Sequence, residues 1–95
     1  MEWSETKNKR NIRKHGISFQ EAVEVFNDQN AIEFHDEAHS KVGEDRYIVI
    51  GTTNKCVILN VVYADKSGNI RIVTARRATS QEKEIYYERL RRIYR

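Results

Sequence analysis

Three stretches of this 95-residue chain carry side chains whose types and spacing could do chemistry. The first is Lys14-His15-Gly16-Ile17-Ser18-Phe19, with Lys7 two helical turns upstream. The second is Glu44-Asp45-Arg46. The third is Arg71-Ile72-Val73-Thr74-Ala75-Arg76-Arg77-Ala78. An imidazole or a carboxylate can move a proton, and guanidinium groups make forked contacts with phosphate oxygens. Cleavage of RNA without a metal needs these group types: a base for the 2′-OH, an acid for the departing 5′-oxygen, and positive charge on the phosphate. Contacts of this kind position a phosphate chain and carry little base specificity.

Each group also has a plainer reading. A charged histidine at a helix C-terminus gains ~0.3–1 kcal/mol from the helix dipole, which is reason enough for His15 and for Lys14. Lys14, if close, would lower the His15 pKa and favour a neutral base. Glu44 and Arg46, two apart on a strand, share a face. They suit either a carboxylate beside a phosphate-binding arginine or a cross-strand ion pair guarding a sheet edge. Strand alternation puts Arg71 and Arg77 on one face and Arg76 on the other with Ile70 and Ile72. One of the adjacent arginines is then free for substrate while the other is held by a carboxylate or by helix carbonyls. Tyr86 stands at an apolar helical position, which predicts a core ring with its hydroxyl at the site edge.

The elements that must position these groups are legible as an α+β pattern. Ser4 can cap a helix over about residues 5–15, stopped by a left-handed Gly16. Ser18-Phe19-Gln20-Glu21 is a capping box. Phe19, Ala22, Val23 and Phe26 follow at i, i+3, i+4 and i+7, one apolar stripe. Strands are predicted over residues 31–36, 46–53, 55–64 and 70–77, with a hairpin at Asn54 and a turn at Asp65–Asn69. The near-continuous apolar run from Cys56 to Tyr63 suits a central strand, with Cys56 an inert core thiol. Thr79-Ser80-Gln81-Glu82 opens a last helix, about 80–94, expected to bury Tyr86, Leu90 and Ile93; Glu84, Glu88, Arg91 and Arg92 would form its solvated face. The order ααββββα with short connections implies an antiparallel sheet with helices packed against it.

Ninety-five residues make one domain, 1–95, with one modest core. Charge is unevenly placed: net +3 over residues 1–16, −5 over 17–70 and +5 over 71–95. Basic ends that meet in space would form a positive face suited to nucleic acid, although solvated helix faces give the same count. No apolar run reaches the roughly 20 residues of a membrane span, and Met-Glu-Trp-Ser-Glu lacks the pattern of a signal peptide. A lone cysteine excludes an intramolecular disulfide and fits a reducing cytoplasm. His35 and His39 have a zinc-like spacing but no clear third ligand, so no metal site is expected.

Taken together, Lys7…Asn11-x-x-Lys14-His15-Gly16-Ile17-Ser18-Phe19-x-Glu21-Ala22…Phe26, then Glu44-x-Arg46…Gly51, then Arg71-Ile72-x-x-Ala75-Arg76-x-Ala78…Glu82…Tyr86 resembles the BrnT toxins of bacterial type II toxin–antitoxin systems. The resemblance runs from Trp3 to Tyr86; Ser4 stands where the pattern has Asp, and both residue types cap helices. It implies a RelE-like fold and endoribonuclease activity without a metal or cofactor, inhibiting translation. It also implies neutralisation by a small ribbon-helix-helix antitoxin of the BrnA type, whose complex with the toxin binds operator DNA and represses the shared operon. On this resemblance His15 or Glu44 is expected to transfer protons, and Arg46, Arg76 and Arg77 to stabilise the phosphate. Lys7, Lys14, Arg71 and Tyr86 are expected to contact RNA. The alternative is a nucleic-acid-binding or antitoxin-binding module without catalysis.

Overall fold

In the computed structural model, which describes residues 1–94, the chain runs α1 (Glu5–His15), α2 (Phe19–Ala22), β1 (Ile32–His35), β2 (Asp45–Thr52), β3 (Ile58–Lys66), β4 (Asn69–Arg77) and α3 (Ser80–Ile93). The strands form one antiparallel sheet in the order β1-β2-β3-β4. The expected α+β order is therefore present. Short turns force this meander, because consecutive strands joined by a few residues can only pair antiparallel.

Local signals explain the helices. The Ser4 side chain accepts from Lys7 N–H, and Gly16, at φ 71°, closes α1 with its N–H on the Ile12 carbonyl. Ser18 and Glu21 form the expected capping box. The segment after α2 differs from expectation. At Val23 the backbone tightens into a 3-10 turn, Val23–Asn27. Three residues per turn then add Val25 to the buried row of Phe19 and Ala22, while Val23 and Phe26 of the expected stripe pack half-buried against the same core.

Phe19, Ala22 and Val25 pack with Ile17 on one sheet face, against Val49, Leu59, Val61, Tyr63, Ile72 and Ala75. The other face is covered only in part: Tyr86 of α3 and Ala78 bury Ile50 and Ile58, with Leu90 at the margin. Ile93 is exposed, which departs from the expected stripe, because the end of α3 stands off β1 across an open groove rather than packing on it. Asp28 ties the two layers together. It accepts from the Tyr86 hydroxyl at 2.6 Å and from Thr52 N–H at 2.9 Å. Gly51 makes room for this: a Cβ there would meet Asp28 and Val25 at 3.3 Å and Ala31 at 3.0 Å.

One strand boundary shifts by more than two residues, and one strand carries a bulge. β3 starts at Ile58 rather than Lys55, since residues 53–57 form a loop closed by Thr53 N–H on the Val57 carbonyl. Cys56 sits in that loop, exposed and at positive φ, so it is not a core residue. In β4, Val62 pairs with Thr74 but Tyr63 pairs with Ile72, leaving Val73 as a bulge. One extra residue reverses the alternation beyond it. Arg71 and Arg76 therefore share a face, while Arg77 takes the face of Ile70 and Ile72, correcting the expected pairing of Arg71 with Arg77.

The β4 edge is covered by the N-terminal segment. Glu2 bonds through its backbone to Ile70 and Ile72. Asn11, buried in α1, receives Ala75 N–H at 3.2 Å and donates to the Ala75 carbonyl at 2.7 Å and the Ile17 carbonyl at 2.8 Å. A side-chain amide thus stands in for a neighbouring strand.

Candidate active site

The sheet face not reached by α1 and α2 carries the most concentrated chemistry. Arg46 on β2, Ala64 on β3 and Arg71 on β4 lie in one cross-strand row. Two strand spacings put the arginine backbones about 10 Å apart, with only a methyl group between them. Glu44 precedes Arg46 by two residues and joins this row. Its carboxylate is buried; Arg71 Nη2 lies 3.5 Å from Oε1 and Lys41 Nζ 4.0 Å from Oε2. A tight turn holds it there, with Lys41 and Glu44 exchanging backbone hydrogen bonds around a positive-φ Gly43. The Nε atoms of Arg46 and Arg71 are buried and have no hydrogen-bond partner. Buried N–H groups are normally satisfied, so two such donors in one row form an anion-seeking arrangement.

The other expected residues fall elsewhere. Arg76 is held by a carboxylate, one of the two alternatives for it. Its Nη1 and Nη2 donate to Glu82 at 2.8 and 3.0 Å, and Asn60 donates to the same carboxylate at 2.7 Å. Glu82 also closes the capping box of α3 with Thr79. Tyr86 is buried with its hydroxyl on Asp28, so the RNA contact expected of it gives way to a packing role. Arg77 is exposed on the opposite face of β4.

Helical geometry sorts the α1 residues. Asn8 and His15, seven apart, lie on one line, and Lys7 and Lys14 on another, with Asn11 between them. Asn8 accepts from Phe19 N–H, so its line faces α2. Lys7 and Lys14 therefore stand on the flank turned towards the Arg71 face, whereas half-buried His15 is turned towards α2. The two ends of β4 are roughly 20 Å apart. Glu2 binds at Ile70 and Ile72 and Asn11 at Ala75, so α1 runs along β4 and leaves His15 beyond Ala75, at the Arg77 end. His15 and Glu44 are thus not brought together. Neither zinc-spaced histidine points at a shared centre: His35 pairs with Asp45 at 3.1 Å and His39 with Asp36 at 2.8 Å. Among the described residues no group of three or more His, Cys, Asp or Glu side chains is placed to hold a metal ion.

The Arg76 guanidinium, more than partial burial, sets the Glu82 charge state, holding its carboxyl at about 2 against an ordinary 4.5. A depressed carboxylate pKa stabilises the fold above the unfolded value, and that stability is lost as pH falls from about 4.5 through about 2. Glu82→Gln is therefore expected to cost about 2 kcal/mol at pH 7, discounted for the partial exposure of Arg76, and to flatten the acid limb of the stability curve. Urea melts of both proteins from pH 7 to pH 2.5 check this; parallel curves would contradict it.

Residues 3–82 match the family model described as the ribonuclease toxin BrnT of type II toxin–antitoxin systems. The fold matches the crystal structure of the Brucella abortus ribonuclease toxin, BrnT, at TM-score 0.60 and 25% sequence identity, covering 82% of this chain and 94% of that one. A search of curated proteins gave no significant sequence match.

Proposed function

Since the chain belongs to the BrnT family of ribonuclease toxins, we propose that it is an endoribonuclease that cuts RNA without a metal ion at the Glu44–Arg46–Arg71 row. The observation that carries this reading is the pair of buried, unpartnered Nε donors flanking Ala64, with a buried carboxylate beside them. A scissile phosphate lying over Ala64 meets a guanidinium on either side. Their charge stabilises the extra negative charge that develops when the 2′-oxygen attacks phosphorus. Glu44 takes the 2′-OH proton, and water at the open face protonates the departing 5′-oxygen. The 3.5 Å approach of Arg71 to Glu44 is an ion pair but long for a hydrogen bond, which leaves the guanidinium donors room to turn towards phosphate. Lys7 and Lys14 extend the positive surface along the RNA backbone, and Arg76 acts chiefly by seating α3 on the sheet.

In this reading the protein arrests translation in the cytoplasm and is silenced by an antitoxin. The ribbon-helix-helix type of that partner, and joint repression of their operon through operator DNA, rest on the resemblance in the three motif blocks. The test is a gel assay of the purified chain with single-stranded RNA in EDTA. Cleavage supports the proposal. Intact RNA, both free and ribosome-bound, would leave a binding module in its place.

A further inference from the structure

The sheet has one closed edge and one open edge. At β4, Glu2 and Asn11 take up the outward backbone groups. At β1 the outward groups can be identified from the ladder. Asp36 N–H bonds to the Arg46 carbonyl, so Asp36, Phe34 and Ile32 are the bonded positions facing β2. Alternation then turns the N–H and C=O of Glu33 and His35 away from the sheet. Among the described residues nothing bonds to them. Such an edge is a template for another strand.

Beside this edge lies an apolar groove of about 620 Å³, walled by Ile32 and Phe34 of β1 and by Ile85 and Ile93 of α3. Phe34, Ile85 and Ile93 are all exposed there. The opposite side of the same edge is acidic. Glu33, which accepts from the Tyr63 hydroxyl, lies there with Asp45 beside His35, and residues 31–39 hold no Lys or Arg. A strand laid along β1 would therefore find grease on one face and negative charge on the other. A second copy of this chain, pairing through its own β1, would set these acids against themselves, which is unfavourable.

We propose that β1 is the docking edge for the antitoxin. The antitoxin would add an extended segment whose residues alternate between apolar side chains, seated between Phe34 and Ile85, and Lys or Arg side chains facing Glu33 and Asp45. The inference rests on the toxin–antitoxin reading. Backbone pairing supplies affinity in this mode, and the alternate side chains supply specificity.

The experiment titrates the purified full-length antitoxin of the same operon into the wild type, Ile85→Asp, His35→Pro and His35→Ala by calorimetry. Each variant is first checked for a native circular dichroism spectrum and for RNA cleavage when free. His35→Pro deletes one outward N–H and a proline is tolerated on an edge strand; His35→Ala keeps that N–H and controls for the imidazole. Ile85→Asp and His35→Pro are expected to weaken binding by about tenfold or more, with His35→Ala near wild type. Wild-type affinity in folded Ile85→Asp and His35→Pro would overturn the proposal, and free toxin that still cleaves RNA would leave the ribonuclease reading intact. Equal losses in His35→Pro and His35→Ala would also overturn strand addition. So would a dimer of the free chain that these substitutions dissolve while antitoxin binding persists.

Discussion

Arg46→Ala and Arg71→Ala are each expected to slow RNA cleavage by about 100- to 1000-fold while the protein stays folded. That is the usual loss when one preorganised donor to a developing anion is removed. The two arginines share one cross-strand row, and their buried Nε atoms bind nothing in the protein; Arg71 also faces the buried Glu44 carboxylate through Nη2, so Arg71→Ala carries some loss of stability that Arg46→Ala does not. Lysine at either position restores charge but not the fork, and recovers only part of the rate. Arg76→Ala behaves differently. It strips Glu82 of two hydrogen bonds at the start of α3, so its loss of activity follows its loss of stability. Single-turnover cleavage beside thermal melts separates the cases. Near-normal cleavage by a folded Arg71→Ala would remove that arginine from the site.

Asn11→Ala is expected to produce the largest loss of stability of any substitution at a polar residue, about 3 kcal/mol in urea denaturation. Asn11 is 6% exposed and is the amide that closes the β4 edge and holds the turn into α2. Alanine leaves the Ala75 N–H, the Ala75 carbonyl and the Ile17 carbonyl without their partner. Asn11→Asp should be at least as harmful, since it faces two carbonyl oxygens with an anion. A change under about 0.5 kcal/mol would mean that water replaces the amide at no cost.

These residues show where the sequence is informative. Caps at Ser4, Ser18 and Thr79 mark helix starts because each acts within three residues. The alternating apolar runs give four strands, and their short turns give the meander. The bulge at Val73 is not legible, because an extra residue in one strand is chosen by packing across the sheet, and it reverses which arginines share a face. For the same reason Asn11 reads as a helix-surface residue until the β4 edge is beside it. Glu44 and Arg46 are found by their spacing, but Arg71 joins them only through the pairing of β4 with β3. The 3-10 tightening at Val23 and the exposure of Cys56 likewise depend on tertiary contacts rather than local pattern.

The most direct measurement is end-group analysis of RNA cut by the purified wild-type chain in EDTA, with Glu44→Gln and Arg46→Ala alongside. Attack by the 2′-oxygen predicts 2′,3′-cyclic phosphate and 5′-hydroxyl ends from the wild type, and a loss of those ends in both variants. Ends bearing a 5′-phosphate, produced only when a divalent cation is added, would contradict the account.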